Sequence, residues 1–342
     1  LARGYSQDWA ERLFEMMKGF AGYGFPESHS ASFALLVYVS AWLKRHHTSA
    51  FYCGLLNSLP MGFYSASQLI QDARRHGIEV RPVDIQHSHY EHRLEDTSRH
   101  ALGVQPALRL GMCQINGLSE DSAQRIAKAR AQHPFRSLND LIYRAGLSPQ
   151  DRQLLVDANA MKSLLGHRHQ AHWQDQGVEE ARPLLAFEHD MDSTERLALD
   201  APSEMDDMFS DYRRLGLTLG KHPLALVRHL PVFSHSRRAR ELKRCRHGQL
   251  ASVAGLVTNR QRPGTASGVL FMTLEDETGN TNVVVWRSLQ DRYRAALLGG
   301  KLLLIKGTVE KTEQGIVHLV AGHVSDHSDV LSTLSVSSRD FH

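Results

Sequence analysis

Apolar residues recur at helical spacing from the start of the chain, at Leu13, Phe14, Met17 and Phe20. The run Gly22-Tyr23-Gly24-Phe25-Pro26 breaks that helix. A second helix follows from about Ser30, through Ala31-Ser32-Phe33-Ala34-Leu35-Leu36-Val37-Tyr38, to Trp42. It is apolar almost all round, the pattern of a buried helix. Lys44, Arg45, His46 and His47 mark its polar end, where cations suit the helix dipole. A further helix is expected over 65–76, stopped by Gly77, and a short strand at Ile78-Glu79-Val80.

The texture changes at about residue 102. Ser119, Ser137 and Ser148 each stand where a helix N-cap belongs, and the last two have Asp140 and Asp151 three residues on. Pro149 occupies a first helical position, where its missing N–H costs nothing. Short helices are predicted at 119–131, 137–145 and 149–159, joined by tight hairpins such as Ile115-Asn116-Gly117-Leu118. From 179 to 211 eleven acidic residues stand against Arg182 and Arg196, which reads as a solvated connector. The next charged run, 236–246, holds six Lys or Arg and one Glu, and also reads as a solvated linker.

From 249 onward the period is two. Strands are predicted at 249–259, 269–276, 281–287, 301–311 and 316–324, with a helix at 288–298 that begins in a Ser288…Asp291 capping box and stops at Gly299-Gly300. Five strands with a helix between the third and fourth is the order of an OB barrel. The fold class is therefore multidomain α+β, with helical parts followed by a β-barrel.

Composition narrows the chemistry. The chain has 342 residues and a formal net charge of only +3, so the distribution of charge matters more than its total. Three cysteines without CxxC spacing fit a reducing compartment rather than a disulfide framework or a thiol zinc site. There is no long apolar span for a membrane and no secretory leader. The histidine groups His87/His89/His92 and His167/His169/His172 read as solvated rather than ligating. Asp190…Asp192 and Asp206-Asp207 fall in the acidic connector, so no rigid carboxylate pair for two-metal chemistry is found. The chain opens on Leu1 inside a helical pattern, which suggests a piece of something longer.

Three places could carry nucleic-acid chemistry. Ser28 and His29 lie in the turn before the apolar helix, where unpaired N–H groups can take a phosphate, although on local pattern alone an ordinary cap is the preferred reading. A hairpin with Gly117 lets backbone N–H groups approach duplex phosphate, with Ile115, Asn116 and Ser119 framing it and Arg125, Lys128 and Arg130 on the next helix. Plain helical packing explains that hairpin as well. On the barrel, Arg260, Arg262, Phe271 and Arg287 are candidates for single-strand contact, while period two leaves Trp286 as a core residue. Glu275, Asp276 and Glu277 at the end of the second strand would repel phosphate.

Residues 20–29 (FAGYGFPESH), with ASFA at 31–34 and AWLKRH at 41–46, closely resemble the fingers of bacterial C-family DNA polymerases of the DnaE type. Residues 57–64, QDARRHG at 71–77, RPVD at 81–84 and SRDFH at 338–342 resemble the error-prone branch used in damage-induced mutagenesis. Residues 255–268 and LEDETG at 274–279 are similar to its OB domain. The resemblance implies late fingers at 1–100, tandem helix–hairpin–helix at 101–172, a connector at 173–246, an OB fold at 247–326 and a tail at 327–342. It implies a longer cytoplasmic parent whose preceding palm carries the catalytic aspartates and Mg²⁺, so that this piece has no catalytic residue or cofactor of its own and is inactive alone. DNA is the implied partner, as primer–template duplex and single-stranded template, with incoming dNTP in the parent and accessory mutagenesis proteins beside it. The resemblance makes Ser28 and His29 nucleotide-proximal and Gly117 a duplex contact. Glu27 and Asn116 stand where replicative relatives usually carry Lys, which removes a cation from each phosphate path; the Arg-rich run 237–246 could compensate, although a solvated linker is the preferred reading. The rival is an assembly module that docks accessory proteins, with little DNA contact.

Overall fold

The computed structural model describes residues 6–23, 27–61, 64–96, 105–178, 199–263, 268–312 and 314–334. The chain divides into two compact units, one of Leu1–Arg81 with Glu91–Leu110 and one of Pro82–Tyr90 with Gly111–His342.

The first unit holds α1 (Gln7–Tyr23), α2 (Glu27–His46), α3 (Thr48–Asn57) and α4 (Ala66–Arg75). A small sheet of β1 (Val80–Arg81), β2 (Arg93–Glu95) and β3 (Ala107–Arg109) has β3 in its centre. Ser65 caps α4 in a reciprocal box with Gln68, and Gly77 beyond its end has φ of 81°. Tyr52, Leu56, Ile70, Ala73 and Leu108 are buried. Glu95 accepts from Arg81 Nη1 and Arg109 Nε, each at 2.8 Å, which ties β2 to both other strands of the sheet.

The expectation that α2 is buried is overturned. Leu35, Val37 and Tyr38 are each at least 64% exposed, and Phe33, Leu36 and Trp42 also face solvent. The apolar pattern is there, but no surface among the described residues covers it.

The second unit begins with α5 (Glu120–Arg130), α6 (Leu138–Ala145), α7 (Pro149–Asp157), α8 (Lys162–Leu165) and α9 (Arg168–Gln176). Ser119, Ser137 and Ser148 cap α5, α6 and α7 as predicted, and only Ser148 with Asp151 closes a reciprocal box. The second half of the supposed acidic linker is instead α10 (Glu204–Leu215). Its Asp207 and Asp211 pair with the buried Arg168, the latter at 2.7 Å, so these acids fix a helix rather than solvate a loop. The earlier acidic residues, 179–198, lie outside the described residues.

Next come α11 (Pro223–Val227) and α12 (Ala239–Leu242), then β4 (Leu250–Gln261), β5 (Leu270–Asp276), β6 (Gly279–Val285), α13 (Arg287–Gln290), α14 (Arg294–Gly299), β7 (Leu302–Lys311), β8 (Val317–Asp326) and α15 (Ser328–Leu334). The strands close into a barrel of order β4-β5-β6-β8-β7, with β6 and β8 parallel and the other pairs antiparallel. Where β7 bulges past β8, a Cβ on Gly307 would stand 2.0 Å from the Val320 carbonyl oxygen, so only glycine fits.

The barrel has two cores. The inner one packs Val253, Met272, Leu274, Val283, Val285, Leu303, Ile305 and Leu319. Outside it, Leu224, Val227 and Phe233 cover Ala254, Leu302 and Leu304, with Val330 and Leu331 against them. The residues before the barrel are thus a jacket on β4 and β7. The basic run 236–246 is equally part of the fold, because its Leu242 and Cys245 enter the inner core.

The predicted third strand and helix both shift. β6 ends at Val285, whose carbonyl accepts from Gln290 Nε2 at 3.0 Å, a bond that turns the chain into α13. Arg287 therefore opens a helix rather than ending a strand, and Ser288 lies inside that helix rather than capping it.

Candidate nucleic-acid interface

Two Gly-Leu-Ser turns organise the helical part of the second unit, at 117–119 and 146–148. Gly117 has φ of 92° and Gly146 of 58°, values that favour glycine. Leu118 and Leu147 are buried, and the serine after each caps the next helix. The second turn is one of the tight hairpins expected between the helices at 137–145 and 149–159.

The hairpin donors are largely engaged within the fold. Asn116 N–H donates to the Arg214 carbonyl at 2.9 Å, and Gln114 Nε2 to the Leu215 carbonyl at 2.6 Å. Both acceptors are last-turn carbonyls of α10, which such donors cap. Asn116 N–H is therefore removed from the candidate phosphate ligands. Ile115 is 2% exposed, and its N–H donates to Met112. Among the described residues no acceptor is recorded for the N–H groups of Gly117 and Ser119. Glu120 and Asp121 follow at once and put two exposed carboxylates beside them.

Arg125 is also corrected. Its Nη1 donates to the Ala145 carbonyl at 2.9 Å and to the Gly146 carbonyl, and its Nε to Asp121 at 3.0 Å. It braces the second turn against α5 rather than standing free. Arg130 is likewise committed, to the carbonyls of Ile85 and Ser88 at 2.7 Å each. Lys128 is exposed.

On the barrel, Arg260 proves structural. Arg260 Nε donates to the Leu297 carbonyl at 2.7 Å and its Nη2 to Gly300, clamping α14 to β4. Arg262 Nη2 donates to the Gln290 side chain. The Arg260 guanidinium is thus committed to the fold, while Arg262 is exposed with one bond to a side chain. Phe271 stands on the outer side of β5, in one row with Val284 and Val320. Thr273, Asn282 and His318 form the next row. Trp286 is 54% exposed, against the expectation that it is core, and Arg287 beside it is exposed as well. With β4 and β7 jacketed, β5, β6 and β8 present the open outer face, carrying two aromatic rings and one cation.

The acidic end of β5 does not act as a repulsive patch. Asp276 accepts from the N–H groups of Ala239, Thr278 and Gly279 at 2.6–3.0 Å. Glu277 accepts from Arg228 Nη2 and Arg238 Nε, each at 2.9 Å, and Glu275 lies 3.3 Å from His222 Nε2. Burial raises the Glu277 carboxyl, but hydrogen bonds and charge from Arg228 and Arg238 outweigh it and hold it below the ordinary value. These acids dock the jacket on the barrel, with their charge met inside the protein.

The remaining candidates fall elsewhere. His29 lies within the first turns of α2, exposed, its ring 4.3 Å from that of Phe33. The side chain of Ser28 and the turn 24–26 lie outside the described residues. His92 is buried rather than solvated, and His167 caps α9 through Gln170 N–H. No group of three or more His, Cys, Asp or Glu among the described residues could hold a metal ion. No helix among them is long and apolar enough to cross a membrane.

Hairpins with buried leucines and a five-stranded barrel with an aromatic outer face define the class, a chain built of nucleic-acid-binding domain types. Residues 77–171 match the helix-hairpin-helix motif family, and residues 251–326 match the OB-fold nucleic acid binding domain. Over its whole length the chain is 53% identical to a protein named error-prone DNA polymerase from Teredinibacter turnerae and 51% identical to one of that name from Saccharophagus degradans. It is 50% identical to another from Pseudomonas fluorescens over 99% of its length. The chain spans about a third of each of these relatives, 32–33%. Among solved structures, an asparaginyl-tRNA synthetase from Pyrococcus horikoshii is similar over 27% of this chain and 23% of its own, with 20% identity and a TM-score of 0.24, too slight to carry any argument.

Proposed function

We propose that this chain is the DNA-handling part of an error-prone DNA polymerase of the DnaE type, and that the catalytic carboxylates and Mg²⁺ of the whole protein belong to its other parts. The observation that carries this reading is similarity at about 50% identity along the whole chain to relatives of that name. In the proposed role the Gly117 and Ser119 N–H groups, with Lys128, hold a phosphate of the primer–template duplex. Backbone donors of this kind fix register without reading bases. The outer face of the barrel, through Phe271, Trp286 and Arg287, stacks and guides single-stranded template. Ser28 and His29 are proposed to lie near the incoming dNTP of the whole polymerase.

The assembly reading has two supports, the acidic end of β5 and the near-neutral net charge of +3; the carboxylates of the first are engaged inside the protein, and the second stands. Fluorescence anisotropy against salt tests the proposal. A DNA-handling chain gives log K falling with log salt at a slope of about −0.9 per duplex phosphate contacted. A flat slope would sink the reading in favour of accessory-protein assembly. Primer extension by the chain alone is expected to give no template-directed incorporation.

A further inference from the structure

Residues 237–246 form a cationic platform rather than a linker. Their backbone is fixed by four hydrogen bonds: Arg237 N–H to the Ser252 carbonyl at 2.7 Å, Ala239 N–H to Asp276 at 2.6 Å, Arg240 N–H to Thr278 Oγ1 at 3.1 Å and Arg246 N–H to Gln249 Oε1 at 2.9 Å. Leu242 and Cys245 anchor the segment in the inner core of the barrel. Of its six cations only Arg238 makes an ion pair among the described residues, with Glu277. Arg237, Arg240, Lys243, Arg244 and Arg246 are all exposed. Lys311 joins them, its Nζ donating to the Lys243 carbonyl at 2.9 Å. The one acid in the segment, Glu241, is occupied by the Arg238 N–H at 3.0 Å.

The contrast with the buried and half-buried arginines of the unit is the argument. Arg125, Arg144, Arg152, Arg168, Arg214 and Arg228 each meet a carboxylate. Five like charges held on rigid backbone without counter-charges repel one another, and a polyanion relieves that repulsion. The position says which polyanion. Arg240 is bonded to the β5–β6 turn, and Phe271 and Val284 lie six or seven residues back along the same two strands. At a rise of about 3.3 Å per residue the platform is roughly 20 Å from the aromatic row. That span suits an OB-fold site of roughly 4–16 nucleotides.

We propose that Arg237, Arg240, Lys243, Arg244 and Arg246 bind the phosphate backbone of single-stranded DNA and extend the track that starts at the aromatic face of the barrel. The proposal rests on the reading that this face holds single-stranded DNA. Anisotropy of the full chain with oligothymidylates of about 6 and about 20 nucleotides separates the two ideas. The triple variant Arg240→Glu, Lys243→Glu, Arg244→Glu is expected to bind the long oligomer at least tenfold more weakly. Its salt slope should be shallower by about 2, for three single-strand phosphates lost, with short-oligomer binding unchanged. Phe271→Ala with Trp286→Ala should weaken both oligomers. If that aromatic variant changes neither, the barrel reading fails while a charge effect on the long oligomer still supports the platform. Wild-type affinity and slope in the charge-reversed chain would overturn the platform. Displacement of the DNA by poly-glutamate at equal charge concentration would overturn it in favour of an acidic protein partner. Should reversal unfold the chain by circular dichroism, the Gln versions of the same three sites decide by the same criteria.

Discussion

Burial strips His92 of water and pushes its imidazole down to about 4. In the unfolded chain the ring titrates near its ordinary value of about 6.5. Above that pH neither state binds the proton and the residue is neutral in its effect. As pH falls from about 6.5 toward 4 only the unfolded state gains it, so stability drains away by up to roughly 3 kcal/mol. Urea melts at neutral and acid pH should show that loss, and His92→Gln should flatten it. A profile that stays as steep in the variant would assign the acid sensitivity elsewhere. The sequence showed histidines in a polar stretch, but not that the Asn57 amide bonds to the His92 carbonyl at 3.0 Å and draws that backbone in. Serine caps were legible because each reaches only three residues along its own helix. Arg260 was not, because the carbonyl it clamps lies 37 residues away.

At the scale of elements, helices and strands were read within a few residues, and the segments between them were not. Charge runs were taken as solvated, whereas Asp207 and Asp211 of α10 meet the buried Arg168, and Arg228 just past α11 and Arg238 just before α12 both meet Glu277. Arg228 is the clearest case, 2.6 Å from Glu277 and 3.6 Å from Asp276, with all three side chains at most 15% exposed. Removing one partner leaves uncompensated buried charge, a loss of about 3 kcal/mol or more. Arg228→Ala should therefore lower the unfolding free energy of the second unit by that amount, read from urea melts, and an unchanged midpoint would refute the clamp. Arg125 gives a sharper contrast between bracing and binding. Arg125→Ala should cost about 2 kcal/mol through its lost carbonyl bonds. Its salt slope for duplex binding should equal that of the parent chain, whereas a contact residue would lower it.

The second unit links two modules, hairpins proposed to hold duplex and a barrel proposed to hold single strand. Linked sites convert the second contact into an intramolecular one. A primer–template junction should therefore bind at least tenfold more tightly than blunt duplex or single strand of equal length, measured by competition anisotropy. Equal affinities would mean that the modules do not act together. At this scale the sequence order of the barrel was legible from period two and its interposed helix. Its open face was not, because Trp286 and Arg287 depend on where Gln290 ends β6. The apolar girth of α2 was legible as well, yet a pattern says only that a helix wants cover, and none is present among the described residues.

The bond from Asn116 to the Arg214 carbonyl also carries a timetable. Its two ends are 98 residues apart. A ribosome adding roughly 5–20 residues per second leaves about 5–20 s between them. For that interval the first turn exists without its lock, and the nascent chain matures only when α10 emerges. Ribosomes stalled before and after residue 214 should carry chains that differ abruptly in protease resistance near residue 116, a step in time written into a single amide.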